Sequence, residues 1–244
     1  MKVLIIGYGK MGKEIEAMLL SNGHEIAGIV DNPIERNNFA GHADVAIEFS
    51  APDACISNFY WCFERQLPVV SGTTGWLQNL ETVTHECHQK NAAFLWGSNF
   101  SLGMNIFFLL NRTLAGVASS FPEYKPSVFE THHIHKLDKP SGTALTLAED
   151  VIKNNKNIKQ WVMDVQPSST EQLPIMVTRE GEVKGIHEIA YTSGNDVISI
   201  KHEALSRQGF AAGAVMAADW LKDKKGIYSF PEFFETLIIN ALKK

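Results

Sequence analysis

Residues 130–145 read ETHHIHKLDKPSGTAL, placing three histidines, two lysines and a Ser-Gly-Thr helix entry within sixteen positions. Imidazole is the side chain whose charge changes near neutral pH, so His132, His133 and His135 are suited to accepting and returning protons. The first turn of a helix has backbone N–H groups without intrahelical acceptors, and its dipole favours negative charge. Ser141, Gly142 and Thr143 therefore form a ready anion site. Lys136 and Lys139 add positive charge beside it. The stretch reads as a place that holds an anion and moves protons.

Other chemistry fits these residues less well. Adjacent His132 and His133 point to opposite faces of a strand, and no His-Glu-x-x-His pattern occurs, so a metal centre is not expected. Histidines satisfied by hydrogen bonds at a sheet edge would suit one isolated imidazole, but would not explain why Lys136, Lys139 and the helix entry follow at once.

A second cluster lies at the start of the chain. GYGKMG, residues 7–12, fits Gly-x-Gly-x-x-Gly directly after an apolar strand and at the opening of a helix. Gly7, Gly9 and Gly12 would allow the tight turn and close backbone approach to a pyrophosphate, with Tyr8, Lys10 and Met11 between them. Asp31, 19 residues beyond Gly12 at the end of the next strand, is placed to accept from ribose hydroxyls. That position favours NADH and opposes a 2′-phosphate, whereas nearby Arg36 offers a compensating charge, so either NADH or NADPH remains open. SGTTG (71–75) and GSNFSLGMN (97–105) follow later strands of the same sheet. Their residues Gly72, Thr73, Thr74, Gly97, Ser98, Asn99 and Phe100 should face the nicotinamide half.

These residues need a frame that positions them. The first hundred residues alternate β-branched runs with helical patterns: KVLII (2–6), EIAGIVD (25–31), ADVAIEFS (43–50), LPVVSG (67–72) and AAFLWG (92–97). Parallel strands joined by helical crossovers follow from that alternation. Met11, Ile15, Met18 and Leu19 form the inner stripe of the first helix, and Gly23 sits where it should end in a left-handed turn. The Ser50-Ala-Pro-Asp53 run reads as a capped helix start with proline close behind.

After Asn99 the pattern changes to helices at about 101–119 and 141–155 and long strands KPSVFETHH (125–133), PIMVTRE (174–180), GIHEIAYTS (185–193) and DVISIKHEA (196–204), read as antiparallel. The fold class expected is α/β, a Rossmann-type parallel sheet domain (1–99 plus 208–244) with an inserted α+β mixed-sheet domain for substrate and oligomerisation (100–207). The amphipathic segments 209–223 and 230–244 would return to the parallel sheet.

Composition narrows the class further. Across 244 residues the net charge is −5, with 45% apolar and 20% charged residues and no Lys/Arg-rich block, so neither nucleic acid nor an anionic membrane is an expected partner. The longest apolar run, MNIFFLL (104–110), is broken by Asn111 and Arg112 and is too short to span a bilayer. The opening MKVLIIG runs into glycines and charge, unlike a signal peptide, and a cytoplasmic location is expected. Cys55, Cys62 and Cys87 are odd in number and form no Cys-x-x-Cys pair, which marks them as reduced packing residues.

The run E-x-H-H-x-x-K-x-D-x-P-S-G-T-A, from Glu130 to Ala144, resembles the signature of the 4-hydroxy-tetrahydrodipicolinate reductase (dihydrodipicolinate reductase) family. The resemblance extends over the chain through the glycine loop, SGTTG, SNFSLGMN and HEALSRQGFAAGA (202–214). It implies reduction by NADH or NADPH of a small cyclic imine with two carboxylates, in the diaminopimelate route to lysine. It also implies that His132 is a proton donor and acceptor, that Lys136 is the catalytic proton donor, and that His133, Gly142 and Thr143 bind substrate. By the same resemblance the second domain's sheet would mediate a homotetramer. Two departures touch the cofactor: the glycine loop is one residue shorter than the family's common form, and Asp31-Asn32 stands where many members have Glu-Arg.

Two other readings are distinguishable. Aspartate-semialdehyde dehydrogenases need a nucleophilic cysteine that this pattern does not supply, and homoserine or sugar dehydrogenases would not require the PSGT entry. A redox-sensing dinucleotide-binding module would leave Lys136 and the histidines without a task.

Overall fold

The computed structural model describes residues 1–242, and the chain divides into two compact units. The first comprises Met1–Leu102 and the segment that starts at Arg207; the second is Gly103–Ser206.

In the first unit the order is β1 (Lys2–Ile6), α1 (Lys10–Ser21), β2 (Glu25–Val30), α2 (Pro33–Asn38), β3 (Val45–Glu48), α3 (Pro52–Glu64), β4 (Val69–Ser71), a 3-10 turn (Leu77–Asn79), α4 (Leu80–Gln89) and β5 (Ala93–Trp96). Helix α5 (Leu102–Ala118) leads into the second unit, which holds β6 (Lys125–His132), α6 (Gly142–Asn154), β7 (Gln160–Met163), β8 (Gln172–Arg179), β9 (Ile186–Thr192) and β10 (Val197–Glu203). The chain then returns as α7 (Gln208–Leu221), β11 (Gly226–Ser229) and α8 (Phe230–Leu242).

The first unit is a Rossmann-type layer, a six-stranded sheet ordered β11-β5-β4-β3-β1-β2 with every pairing parallel. Its inner strands read as unbroken apolar runs because helices cover both faces; Val45–Glu48 is buried at every position. Phe59, Trp76 and Phe94 interlock in the core, with ring centroids 4.9–5.7 Å apart. Gly23 has φ +72 and closes α1 in the left-handed turn its position demands. One capping expectation is corrected. Ala51, not Ser50, is the N-cap of α3, because the Ser50 hydroxyl is turned onto the Glu48 carboxylate.

The second unit is a mixed sheet ordered β10-β9-β6-β8-β7. Only β10–β9 and β9–β6 are antiparallel; β6–β8 and β8–β7 run parallel, correcting the all-antiparallel reading of these strands. The crossover that makes β6 and β8 parallel carries α6 and β7, an edge strand of four mostly exposed residues. Along β6 burial alternates strictly at Pro126, Val128, Glu130 and His132. The buried face packs with α5 and α6 around Phe107, Val128, Leu147, Ile189 and Tyr191. Cys55, Cys62 and Cys87 are free and buried, and burial pushes the Cys55 thiol up to about 12 and Cys87 to about 11.

Candidate active site

In the first unit the loops that follow β1, β2, β3, β4 and β5 all leave the carboxyl ends of parallel strands, where open sheets of this kind bind ligands. The order reverses between β1 and β3, so the glycine loop lies at the switch point. Gly7 has φ +89, and a Cβ there would stand 2.2 Å from the Phe49 carbonyl oxygen. A Cβ on Gly12 would be 2.3 Å from the Gly7 oxygen, which is what brings α1 hard against the loop. Gly9, the N-cap of α1, has nothing within 4 Å of such a Cβ and leaves open space at the helix N-terminus. That space and the unpartnered first-turn N–H groups suit a pyrophosphate.

The Tyr8 N–H donates to Asp31 Oδ1 (2.6 Å), which joins the loop to the end of β2. Behind them Glu48 is fully buried and accepts from the hydroxyls of Ser50 and Ser71 (the latter 2.7 Å). Burial raises its pKa, and the hydrogen bonds from Ser50 and Ser71 work against that rise. Ser50 N–H donates to Thr73 Oγ1 (2.9 Å), so the network reaches the SGTTG loop. Gly72 packs under Phe49, whose ring would meet a Cβ at 2.1 Å. Gly97 lies under Phe230, and Phe100 is buried against Phe49 and Phe230. Ser98 and Thr74 are exposed on the same rim, with Asn99 half-buried between Ser98 and Phe100.

In the second unit the centre is Glu130. It lies on the middle strand β6, directly opposite His187 of β9, two residues before His132, which faces Arg179 of β8. Three strands thus bring four polar side chains to one buried face. Glu130 is 1% exposed and its carboxylate accepts from Arg179 Nη2 (3.0 Å) and from the Ser141 N–H (3.0 and 3.2 Å). His132 Nδ1 and His187 Nε2 stand 3.8 and 3.9 Å from its Oε2. The two imidazoles meet edge to face at 5.0 Å. Burial lowers the pKa of His132, with Lys136 adding to the effect and Glu130 opposing it. His187 is lowered to about 3, again first by burial. Both rings are therefore neutral at pH 7.

Gly185, at φ +155, carries the backbone past His132, and a Cβ there would lie 3.2 Å from His132 Nε2. Arg179 also donates to the carbonyls of Asp138 (2.6 Å) and Lys136 (3.3 Å), pinning the loop that carries Lys136 to β8. Lys136 pairs with Asp138 at 2.8 Å and holds that carboxyl below the usual carboxylate range. The loop ends at Ser141, the N-cap of α6, whose hydroxyl accepts from Ala144 N–H (3.2 Å). Gly142 is exposed and Thr143 half-buried in the first turn beyond it. His133 turns to the opposite face of the strand end, near His135 with rings 5.9 Å apart.

Glu130, His132 and His187 are the one group of potential metal ligands among the described residues, with ligand atoms within 4.8 Å of one another. The Arg179 guanidinium already supplies the cation at Glu130. The geometry therefore gives Glu130 an organising part and Arg179 and His187 supporting ones. Arg179 and His187 lie 49 and 57 positions after Glu130, and only strand register could have joined them; the inward spacing of His187, Ile189 and Tyr191 was the available signal.

A parallel nucleotide-binding sheet with a glycine loop, followed by a mixed sheet bearing imidazoles, a lysine and an anion-type helix entry, defines a nicotinamide-dependent oxidoreductase of two units. The family model described as dihydrodipicolinate reductase, N-terminus, matches residues 1–100, and its C-terminus counterpart matches residues 103–234. The chain belongs to the dihydrodipicolinate reductase family. Among curated relatives, the 4-hydroxy-tetrahydrodipicolinate reductase of Christiangramia forsetii is 43% identical over 98% of this chain and 100% of its own length. The one from Rickettsia canadensis is 34% identical over 82% of each chain. Dipicolinate-bound dihydrodipicolinate reductase from Paenisporosarcina sp. TG-14 has the same fold, with TM-score 0.74 at 21% identity over 94% of this chain and 98% of that one. An amine dehydrogenase from Mycobacterium smegmatis shares the fold more distantly, at TM-score 0.61 and 10% identity over 95% of each.

Proposed function

We propose that the chain reduces 4-hydroxy-2,3,4,5-tetrahydrodipicolinate to 2,3,4,5-tetrahydrodipicolinate with loss of water, using NADH or NADPH, in diaminopimelate and lysine biosynthesis. The observation that carries the reading is the buried Glu130 centre. It sets neutral His132, the Lys136 loop and the Ser141 helix entry around a single carboxylate.

The dinucleotide domain takes residues 1–99 with 208–244, and residues 100–207 form the substrate domain. Bound NADH or NADPH supplies the hydride. Gly7 to Gly12, with Tyr8, Lys10 and Met11, hold its pyrophosphate, and Asp31 takes a ribose. Gly72, Thr73, Thr74, Gly97, Ser98, Asn99 and Phe100 line the nicotinamide end. In the substrate domain the N–H groups of Gly142 and Thr143, at a helix N-terminus capped by Ser141, receive one substrate carboxylate. His133 contributes a further donor to substrate. Lys136 delivers the proton that completes the reduction, and neutral His132 accepts and returns a proton at the reacting centre. Glu130 and Arg179 keep both in place.

The face of the second unit's sheet opposite the core exposes Phe129 and Val197, which supports a homotetramer formed through these sheets. No helix among the described residues is long and apolar enough to cross a membrane, in keeping with a cytoplasmic enzyme.

The test couples the purified protein to dihydrodipicolinate synthase, supplied with pyruvate and aspartate semialdehyde, and follows oxidation of NADH and NADPH separately. His132→Gln and Lys136→Ala should each lower turnover by about 10²–10⁴, with cofactor affinity little changed. Unaltered turnover in both would refute the assignment.

A further inference from the structure

Resting on the dinucleotide reading above, we propose that the ribose end of the site selects NADH over NADPH, with Asp31 and Glu35 as the discriminating carboxylates and Arg36 withdrawn from the 2′ position. Asp31 offers Oδ1 to the Tyr8 N–H and keeps Oδ2 for a ribose hydroxyl. Glu35 stands beside it, because its Oε2 accepts the Asp31 backbone N–H at 2.8 Å. Two carboxylates therefore meet at the point where NADPH would bring a doubly charged phosphate.

The neighbouring cation does not offset them. Arg36 is 8% exposed, and its Nη1 donates to Ser57 Oγ (2.9 Å) and Asn58 Oδ1 (2.7 Å). Its Nε is buried with no protein partner, and although the side chain lines the cavity it shares with Gly7, Asp31 and Asn32, its Nη1 is held by Ser57 and Asn58. Asn58 cannot turn away, since its Nδ2 donates to Ser50 Oγ (3.2 Å) and reaches Glu48 Oε1 at 3.5 Å. The buried Glu48 carboxylate thereby fixes the amide, and the amide fixes the guanidinium. Moving Arg36 out to meet a phosphate would break two charge-assisted hydrogen bonds and leave Asn58 Oδ1 unpaired inside the protein. Asn32 adds rigidity, as its side chain accepts from the N–H groups of Ile34 and Glu35 (3.0 Å each) and sets α2 at one angle to the site. Specificity here comes from repulsion of the wrong ligand as much as from attraction of the right one.

Calorimetric titration of the full chain with NADH, NADPH, 5′-AMP and 2′,5′-ADP reads the inference directly. NADH should bind at least about tenfold tighter than NADPH, and the nucleotide fragments should show the same ratio. Asp31→Ser and the surface change Glu35→Gln should each move the ratio toward one. Arg36→Lys should leave it unaltered. Equal or tighter binding of NADPH, or selective loss of NADPH affinity in Arg36→Lys, would overturn the inference and leave the reductase reading intact. Failure of the folded chain to bind either dinucleotide would overturn both.

Discussion

Replacing Arg179 by methionine should destabilise the second unit far more than the loss of one surface ion pair. Glu130 is 1% exposed, and Arg179 is the single fixed cation within hydrogen-bond distance of its carboxylate among the described residues. Exposed pairs contribute about 0–1 kcal/mol, whereas removing one partner of a buried pair costs about 3–5 kcal/mol, because the remaining charge has neither water nor counter-ion. The same change removes the bonds from Arg179 to the carbonyls of Asp138 and Lys136. Arg179→Met should therefore cost about 3–5 kcal/mol. Adding Glu130→Gln removes the stranded charge, so the double variant should regain about 2 kcal/mol over Arg179→Met, which is strong non-additivity. Urea unfolding followed by circular dichroism gives the totals, and hydrogen exchange at the amides of β6 and β8 assigns them to this sheet. A cost below about 1 kcal/mol for Arg179→Met, or additive costs in the double variant, would refute the account of Glu130 as a charge that must be neutralised.

Acid should loosen the same face. The folded-state pKa of His187 lies at about 3, below its ordinary 6.5, so the unfolded chain takes up a proton first as pH falls. Stability is unaffected above pH 6.5 and declines from there toward pH 3, by about 2 kcal/mol at pH 5 from His187 alone. His132 and His202 are shifted in the same direction and steepen the slope. His187→Gln should flatten the profile measured by thermal unfolding between pH 7 and 5, and an unchanged slope would show that the ring is not neutral by burial. At the glycine loop, Gly9→Ala should leave the melting temperature within about 2 °C, because a Cβ there meets nothing, yet weaken NADH at least about tenfold by filling the pyrophosphate space. Fluorescence titration with NADH checks it; undiminished affinity would place the pyrophosphate elsewhere.

Much of the first unit was legible because its signals are local. GYGKMG, Asp31 and the loops after β4 and β5 each follow a strand whose apolar run is visible in the sequence, and a parallel sheet then places all of them at one end. The Ser141 helix entry was equally local. What escaped was set by register. Nothing near Glu130 in the chain announces Arg179 or His187, since the pairings of β6 with β8 and β9 span long separations. The direction of β8 was misjudged for the same reason: a strand's own residues do not record which neighbour it will find. The strands β7 and β11 lack the buried apolar run that marks β3 to β5, since QWVM is mostly exposed and GIYS only half-buried. At Ser50 a local rule gave way to a tertiary demand, as buried Glu48 took the hydroxyl that a helix cap would have used.

The pairing of β11 with β5 has a consequence for how the molecule is made. Trp96 finds its partner Ser229 only after the entire second unit has been translated. At about 5–20 residues per second the nascent chain carries the unpaired β5 edge for on the order of ten seconds. During that interval β5 is a growing sheet's open border, its backbone edge without the partner that β11 supplies. The second unit closes on its own residues and can form while the first is still waiting, so the order of maturation is inverted relative to the order of synthesis. Chains arrested before Gly226 would present a ready template for strand addition by a neighbour, and such intermediates are the ones a chaperone would need to shield.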